Sequence, residues 1–340
     1  MSRASGKRTA EKRSAPERSA QKRSAQKQGA QKRSVQKRSA QKRSAPERSA
    51  RAPQKRSTKP LSTRPGAGQK STAGYVHGFT RDEQDRLYHQ ARFLEHRVHE
   101  GLPLRRAKRL LEVGCGVGAQ TDILLRRHPD LHVTGIDASP TNLERAKRHV
   151  EGLPWAKGRA DFAHGDAGAM NFGADTFDSA FLCWILEHVL DPMLVLSETR
   201  RVLRQGSPIV VTEVLNATFF LEPYSPNTLS YWMAFNDRQL ELGGDPFVGA
   251  KLGNLLQAVG YRDIEIEVKP IHLDNRFPGE RAEFIAYWTD LLLSGAPGLQ
   301  AASKVSAAVV EGMKRELQEV AHSPNAVFFY CFVQARARVL

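Results

Sequence analysis

The sequence predicts an α/β fold in which seven mostly parallel strands form one sheet with helices on both faces. Two observations support this prediction. Short apolar runs alternate with amphipathic segments between residues 105 and 215, and such alternation is typical of a parallel sheet that helices cover. A turn with three glycines also follows the first apolar run, where a strand passes directly into a helix.

The first elements follow from their residue patterns. Residues 80–100 place apolar side chains on one helical face, and Thr80 followed by Glu83 forms a capping box. The next segments alternate between strand and helix at the spacing of a parallel sheet. The predicted strands are 109–113, 132–137, 161–165, 177–184 and 209–214, and the predicted helices are 121–127, 140–150 and 193–203.

Beyond residue 215 the alternation is less regular. Residues 216–242 are rich in aromatic side chains, and a later amphipathic segment stops at Gly260 as a helix does. The elements predicted here are helices at 247–259, 280–294 and 299–320, and strands at 263–269 and 327–334. Because a long segment separates the last strand from the strand before it, we expect a helical insertion at 280–320 that lies over the edge of the sheet.

The basic residues are concentrated near the N-terminus. Residues 1–73 contain 22 Lys and Arg against 3 Asp and Glu, whereas the rest of the chain contains 29 against 33. The formal net charge of +15 therefore belongs to this tail. From Glu11 to Ala50 the tail repeats in fives, a period that leaves no persistent helical face and almost nothing apolar to bury. We predict that the tail is disordered.

Three roles are open for the tail: a tether to nucleic acid or another anionic surface, a targeting segment, and an extension without a role. A composition rich in Arg and Ser and poor in acids is similar to that of organelle transit peptides. The missing amphipathic face argues against that role. We favour the third role, because short exact repeats often arise by duplication of coding sequence.

The remaining residues predict one elaborated domain at 74–340, with a lid at 74–104, a cofactor core at 105–215 and substrate-side insertions at 216–259 and 280–320. No stretch of 18 uncharged apolar residues occurs, so we expect no membrane span. The three cysteines lie far apart in apolar runs. This placement favours buried free thiols in a reducing, cytoplasmic setting and argues against a metal site.

The glycine turn carries the clearest chemical signal. Gly114, Gly116 and Gly118 let the backbone pass close to a ligand where any Cβ would clash. The helix that begins near Ala119 directs its free N–H groups to the same place. Asp137, at the tip of the next strand, lies where a carboxylate can accept hydrogen bonds from two ribose hydroxyls. The sequence therefore predicts a site for a nucleoside-containing cofactor.

Two cofactors fit this spacing, because Gly114-x-Gly116-x-x-Ala119 also matches the loose dinucleotide fingerprint. Glu112 lies two residues before the first glycine. A dinucleotide would bring its pyrophosphate there and be repelled. S-adenosylmethionine would bring an amino acid end, whose ammonium group a carboxylate attracts. We therefore expect S-adenosylmethionine, and an NAD-dependent oxidoreductase is disfavoured.

Four motifs occur in chain order: Glu112-Val-Gly-Cys-Gly-Val-Gly118, the strand-end Asp137, His164-Gly-Asp166-Ala, and Phe177-Asp-Ser-Ala-Phe followed by Leu186-Glu-His188-Val-Leu-Asp191-Pro. Together they resemble the class I S-adenosylmethionine-dependent methyltransferases, which have a Rossmann-like sheet. The resemblance covers roughly residues 105–215. Within that superfamily the chain is similar to the ubiquinone/menaquinone-type small-molecule methyltransferases.

A shorter set of residues resembles the methyltransferase domain of ovothiol-type synthases. The set comprises Gly78-Phe-Thr, Arg86-Leu-Tyr-His-Gln90-Ala and Gly118-Ala-Gln120-Thr. We expect no counterpart of the iron-binding oxidative domain of those synthases in this chain. Their overall reaction therefore does not follow from this resemblance.

The class I resemblance implies roles for the residues of the glycine turn. Gly114, Gly116 and Gly118 would hold the methionine portion of the cofactor, and Glu112 would orient its ammonium group directly or through water. Asp137 would accept hydrogen bonds from both ribose hydroxyls. These implied roles agree with the chemistry expected from the turn itself.

The resemblance also implies roles for residues farther along the chain and in the lid. Asp166 would accept the exocyclic N–H of adenine, and Ala167 would give a backbone contact. Trp184 would lie near the methionine end of the cofactor. Tyr75 and Gln90, both in the N-terminal lid, would be partners for the carboxylate of the cofactor.

Candidates for the acceptor side follow the fourth and fifth strands. Glu187 and His188 come directly after the fourth strand, where either is a candidate general base or simply begins a helix. Glu213, at the end of the fifth strand, either binds a cationic or N–H-bearing acceptor or is a solvated strand end. His77 in the lid is a further candidate. Some of the aromatic residues within 219–235 are expected to form pocket walls.

These residues predict an enzyme that transfers a methyl group to a nitrogen or oxygen of a small molecule by in-line displacement. The lid suggests a compact polar or heterocyclic acceptor. Two alternatives remain open: a nucleic-acid methyltransferase tethered by the basic tail, and a protein that binds the cofactor without catalysis. The acidic balance of residues 74–340 disfavours the first alternative, since base-flipping enzymes need basic residues around the site.

Overall fold

The computed structural model describes His77 and residues 80–340. The predicted tail and Tyr75 lie outside these residues. The helices are α1 (Arg81–His99), α2 (Ala119–Arg127), α3 (Pro140–Glu151), α4 (Pro192–Val202), α5 (Pro226–Glu241), α6 (Leu252–Val259), α7 (Pro278–Ala301) and α8 (Ala307–His322). The strands are β1 (Arg109–Val113), β2 (His132–Asp137), β3 (Ala160–His164), β4 (Ser179–Cys183), β5 (Pro208–Val214), β6 (Phe220–Glu222), β7 (Arg262–Leu273) and β8 (Val327–Arg338).

One sheet contains all of these strands. The first five lie in the order β3-β2-β1-β4-β5 and are parallel, and β8 pairs antiparallel with β5 on one side and with β7 on the other. The predicted mostly parallel α/β sheet is confirmed. The described residues form eight strands where the sequence predicted seven, because β6 continues the line of β5 along β8.

The strand residues alternate between two apolar layers, one on each face of the sheet. In β1, Leu110 packs into one layer and Leu111 into the other. This alternation is what the pleat of a strand requires when helices cover both faces. Residues of α1, α2, α3, α5, α7 and α8 pack in the first layer, and residues of α4 and α6 pack in the second.

The helical insertion packs on the first layer beside α1 and α5. Its helices, α7 and α8, contact each other and α5, and α7 also contacts β7 and β8 near the edge of the sheet. The fully buried Arg281 of α7 joins this helix to the end of α8 and to the loop before β8. Its guanidinium donates hydrogen bonds to the carbonyls of Val320, Ser323 and Ala326 at 3.0, 2.8 and 3.1 Å.

Three helices begin at residues whose side chains cap the N-terminus of the helix. Thr80 accepts a hydrogen bond from the N–H of Glu83, as the predicted capping box requires. Ser139 and Asp191 cap α3 and α4 in the same way, each directly before a proline. Among the described helices, none combines the length and the apolar character that crossing a membrane would require.

Candidate active site

A cavity of about 700 Å³ opens at the carboxyl ends of the parallel strands. Its lining includes the turns after β1, β2 and β4, and one side is closed by α1, α5 and α7. The strand order reverses between β1 and β4. Ligands of open α/β sheets bind at such a switch point, outside the carboxyl ends of the strands. A volume of this size is typical of a small-molecule site.

The glycine turn after β1 lines this cavity and needs its glycines for backbone reasons. Gly114, Gly116 and Gly118 have φ angles of +71°, +52° and +79°, a region that side chains other than glycine disfavour. A Cβ at Gly114 would also lie 2.6 Å from Cδ1 of Ile185. Gly114 and Gly116 face the cavity. Gly118 instead caps α2 and packs against Ala146.

Asp137 lies at the end of β2, beside the glycine turn, and lines the cavity. Its Oδ2 accepts a hydrogen bond from the N–H of Gly116 at 2.8 Å, and its Oδ1 accepts one from Ser139 at 2.8 Å. Burial raises the pKa of this carboxyl, and the two N–H groups oppose that shift. The carboxylate is therefore held in a fixed orientation at the edge of the cavity.

Glu112 lies beneath the glycine turn and is buried, outside the cavity lining. Its Oε2 accepts a hydrogen bond from the hydroxyl of Thr121 at 2.5 Å. Burial, with a smaller contribution from the Asp137 carboxylate, raises the pKa of Glu112 to about 8. Because Glu112 does not line the cavity, its position favours an influence on a bound ligand through the glycine turn or through water over a direct contact.

The turns after β3 and β4 place the next predicted residues. Ala167 lines the cavity. Asp166 does not line it, and its Oδ1 accepts a hydrogen bond from the N–H of Gly168 at 2.7 Å. Trp184 lines the cavity with a φ of +54° and packs edge-on against Phe332. A non-glycine residue in this conformation is strained, and such residues are concentrated at functional sites.

The lid helix α1 contributes Gln90 and a residue that the sequence reasoning did not assign. Gln90 lines the cavity, and its Oε1 accepts a hydrogen bond from Nη1 of Arg86 at 2.6 Å. Arg86 also lines the cavity and donates two hydrogen bonds to the carboxylate of Glu83, at 2.7 and 2.6 Å. Its spacing of four from Gln90 on one helix face was the signal available in the sequence.

Two histidines also line the cavity. Nε2 of His188 lies 3.6 Å from Oε1 of Glu187, whose other oxygen accepts a hydrogen bond from Gln239 at 2.9 Å. Nδ1 of His77 lies 2.5 Å from the hydroxyl of Ser294. Burial, followed by the charges of neighbouring residues, holds the pKa of His77 well below its usual range.

The structure does not place Glu213 at the mouth of the cavity. This carboxylate is fully buried and accepts hydrogen bonds from three consecutive backbone N–H groups, those of Ile185, Leu186 and Glu187, at 3.1, 2.8 and 3.4 Å. It is therefore neither a solvated strand end nor part of the cavity lining. Burial and the nearby Glu187 carboxylate raise its pKa, against the effect of the three N–H groups.

Aromatic side chains form the deep wall of the cavity. Trp232 and Phe235, within the aromatic segment singled out in the sequence, both line it. The other rings of this wall were not anticipated: Phe284, Tyr287, Trp288, Tyr330 and Phe332. They belong to α7 and β8, so only the folded chain brings them to the ends of the parallel strands.

The same described residues hold no group of three or more His, Cys, Asp and Glu side chains that could bind a metal ion. Cys115 and Cys331 are buried, Cys183 is half-buried, and all three are free thiols. Burial raises the pKa of Cys115 and of Cys183 well above the usual value. Thiolate chemistry at neutral pH is therefore disfavoured at both positions.

Residues 111–211 match the family described as "Methyltransferase domain". The O-methyltransferase rstn1 of Aspergillus nomiae is 31% identical over 158 residues, which cover 46% of this chain and 67% of that protein. The O-methyltransferase cnsE of Penicillium expansum is 30% identical over 197 residues, or 57% of this chain and 67% of that protein. The 27-O-demethylrifamycin SV methyltransferase of Amycolatopsis mediterranei is 32% identical over 139 residues, or 41% and 50%.

Solved structures are also similar to this chain. The [4+2]-cyclase SpnF shares 19% identity with a TM-score of 0.45, covering 79% of this chain and 87% of that one. Phosphoethanolamine N-methyltransferase 2 of Haemonchus contortus, in complex with S-adenosyl-L-methionine, shares 20% identity with a TM-score of 0.46, covering 74% and 53%.

The family match and the O-methyltransferase relatives, together with the glycine turn and the strand order, define the class. The chain belongs to the class I S-adenosylmethionine-dependent methyltransferases. S-adenosylmethionine is the cofactor of this class. The resemblance that the motifs of the sequence carried is thereby confirmed.

Proposed function

We propose that this enzyme transfers the methyl group of S-adenosylmethionine to an oxygen or nitrogen atom of a small-molecule acceptor. The observation that supports this proposal is that one cavity is lined by the glycine turn and Asp137 and also by His188 and the aromatic wall. A cofactor and an acceptor bound in this one cavity would lie next to each other. The similarity to the O-methyltransferases rstn1 and cnsE favours oxygen as the methylated atom.

The glycine turn and the residues around it fit the cofactor. Because they have no Cβ, Gly114 and Gly116 leave room for the cofactor to approach the turn closely. The Asp137 carboxylate retains lone pairs for ribose hydroxyls beyond its two backbone hydrogen bonds. The amide N–H groups of Gln90, which lines the cavity, suit a ligand carboxylate. Glu112, buried beneath the turn, would act on the ammonium group through the turn or through water. When bound, S-adenosylmethionine supplies a methyl group that its sulfonium has already activated.

The chain's own contribution to catalysis is placement and a proton acceptor. In-line displacement needs the acceptor atom about 3 Å from the methyl group and aligned with it, and placement of this kind accounts for much of the rate. His188, which lines the cavity, would take the proton that an alcohol or ammonium loses. The carboxylate of Glu187, 3.6 Å away, would stabilise the imidazolium that forms.

The first test is calorimetric titration of the full chain with S-adenosylmethionine and with NADH. We expect binding of the former alone. The variant Asp137→Ala should weaken binding at least 100-fold, because it removes the acceptor of the ribose hydroxyls. The matched control is Asp161→Ala, which removes a carboxylate that is 74% exposed on β3 outside the cavity. Retained affinity in Asp137→Ala, with a normal circular dichroism spectrum, would contradict the proposed site.

A further inference from the structure

Six aromatic side chains from α5, α7 and β8 line a part of the cavity that lies outside the turns assigned to the cofactor. We refer to this part as the acceptor chamber, and its six residues are Trp232, Phe235, Phe284, Tyr287, Trp288 and Phe332. All except Tyr287 are at most 5% exposed. The three α7 residues recur at spacings of three and four, which places them on one face of that helix.

The rings of the chamber pack in a fixed arrangement. Trp232 and Phe235 are parallel, with ring centroids 5.7 Å apart, and Trp288 lies 5.4 Å from Trp232. The indole N–H of Trp232 donates to the carbonyl of Asn216 at 3.0 Å, which fixes the rotation of that ring. Aromatic pairs are stabilised by the geometry of their rings in addition to the burial of their area. Another flat ring entering the chamber would gain the same kind of contact.

The charged groups beside the chamber already have partners. Arg86 is paired with Glu83, and Glu187 accepts a hydrogen bond from Gln239 and lies next to His188. Within the described residues, the chamber therefore offers no unpaired counter-ion to a charged acceptor. Burying a ligand charge without such a partner is costly. A cationic acceptor would in addition meet the charge of Arg86 and the sulfonium of the cofactor.

One polar group of the chamber does lack a partner. The indole N–H of Trp288 is buried and has no hydrogen-bond partner in the described structure. An unsatisfied buried donor destabilises the folded state. A ligand oxygen or ring nitrogen is a partner that would remove this cost, whereas a purely hydrocarbon ligand would not.

We infer that the acceptor is an uncharged aromatic molecule with a hydrogen-bond acceptor atom, such as a phenol or a hydroxylated heterocycle, held by ring contacts in the acceptor chamber. This inference rests on the proposed function and specifies its substrate class. Of the compact polar or heterocyclic acceptors that the lid sequence suggested, it is compatible with the heterocyclic ones. The elements that form the chamber lie outside residues 111–211, the part that matches the family.

The test uses the full chain saturated with S-adenosylhomocysteine, so that binding is measured without turnover. The probes are 2-naphthol, the saturated decahydro-2-naphthol, choline, L-histidine and phosphoethanolamine. We expect 2-naphthol to bind at least fivefold more tightly than its saturated counterpart and the three ionic probes to bind more weakly still. Equal affinity for the two naphthol compounds, or tighter binding of any ionic probe, would overturn the inference.

Variants locate the binding in the chamber. Trp288→Leu should weaken 2-naphthol binding at least tenfold and leave S-adenosylhomocysteine binding unchanged. Trp155→Leu is the matched control, since Trp155 is 42% exposed and lies outside the cavity lining. If circular dichroism shows that Trp288→Leu is unfolded, Phe235→Leu replaces it with the same expectation. Undiminished 2-naphthol binding in the folded variant would overturn the inference.

The two proposals fail in different ways. If the unmodified chain does not bind S-adenosylhomocysteine at all, the proposed function is overturned and the inference about the acceptor goes with it. If the cofactor product binds but the ring preference is missing, only the substrate class is wrong.

Discussion

Two buried carboxylates beside the cavity, those of Glu112 and Glu213, show that burial decides whether a strand-end acid can contact a ligand. Glu112 and Glu213 both end buried strands, and the sequence suggested a ligand contact for each. The structure places Glu112 under the glycine turn and Glu213 under the segment that follows β4. Glu112 accepts a hydrogen bond from the Thr121 hydroxyl in α2, whereas Glu213 accepts hydrogen bonds from the backbone of the segment above it. Each has a raised pKa because it is buried. We interpret Glu213 as a positioning residue for the segment that leads to His188.

The pKa of Glu112 predicts a pH dependence of stability. Its folded-state pKa of about 8 exceeds the ordinary value of 4.5, so the folded state binds the proton more tightly. This group therefore lowers the free energy of unfolding as pH rises from about 4.5 to about 8, by up to about 1.4 kcal/mol per pH unit. Glu112→Gln lacks this dependence.

Urea unfolding of the cofactor-free protein at pH 6 and pH 8.5 measures the effect. We expect the stability advantage of Glu112→Gln over the unmodified protein to be larger at pH 8.5. The Asp161→Ala variant is the control for a general effect of losing a carboxylate. An advantage that does not change between the two pH values would show that Glu112 titrates normally.

Removing the Glu213 carboxylate should destabilise the fold. Glu213→Ala leaves three backbone N–H groups without their acceptor, at about 1–3 kcal/mol for each buried group. We expect the free energy of unfolding to fall by at least about 3 kcal/mol. Glu213→Gln keeps one carbonyl oxygen at the same place and should lose less. A loss below about 1 kcal/mol in Glu213→Ala would contradict the role given to this residue.

At the scale of elements, the strands and helices of the core were predictable and the aromatic helix α5 was not. The core elements carry strong local signals, for example the buried run of β4 and the Asp191-Pro start of α4. Helix α5 contacts both the cavity and α8, so apolar residues occur on more than one side of it. Its hydrophobic pattern therefore lacks the single stripe from which an amphipathic helix is recognised.

Within the insertion, the buried side chain of Arg281 joins α7 to the end of α8 and to the loop before β8. Arg281→Lys keeps the charge but cannot reach three carbonyls with a planar fork. We expect the free energy of unfolding, measured with urea, to fall by about 2 kcal/mol or more. Arg276→Lys, at an exposed arginine, is the control and should unfold like the unmodified protein. Equal stability of the two variants would show that the buried hydrogen bonds are replaceable.

At the scale of the whole molecule, the cofactor end of the cavity could be predicted and the acceptor end could not. The glycine turn and Asp137 are separated by one helix, so local spacing fixes their geometry. The aromatic wall combines Trp232, Trp288 and Phe332, which lie far apart along the chain. They lie close together because β8 pairs antiparallel with β5 and because α7 packs on the sheet. No local sequence pattern specifies either arrangement.

The basic tail should be dispensable for cofactor binding. Deleting residues 1–73 removes 22 of the 51 Lys and Arg residues. We expect the S-adenosylmethionine affinity of the shortened protein to stay within twofold, because all the described cavity residues remain. Any binding of DNA, measured at 50 and 200 mM salt, should disappear with the tail. A weaker cofactor affinity would show that the tail takes part in the site.

Strand β8 has a consequence for how the enzyme is made. It lies between β5 and β7 and supplies Phe332 to the acceptor chamber. Ribosomes deliver chains from the N-terminus, and earlier segments begin to fold first. The glycine turn can therefore form during synthesis, while the chamber exists only after β8 has left the ribosome. A nascent chain passes through a stage in which it can hold the methyl donor but cannot yet select the molecule that receives the methyl group.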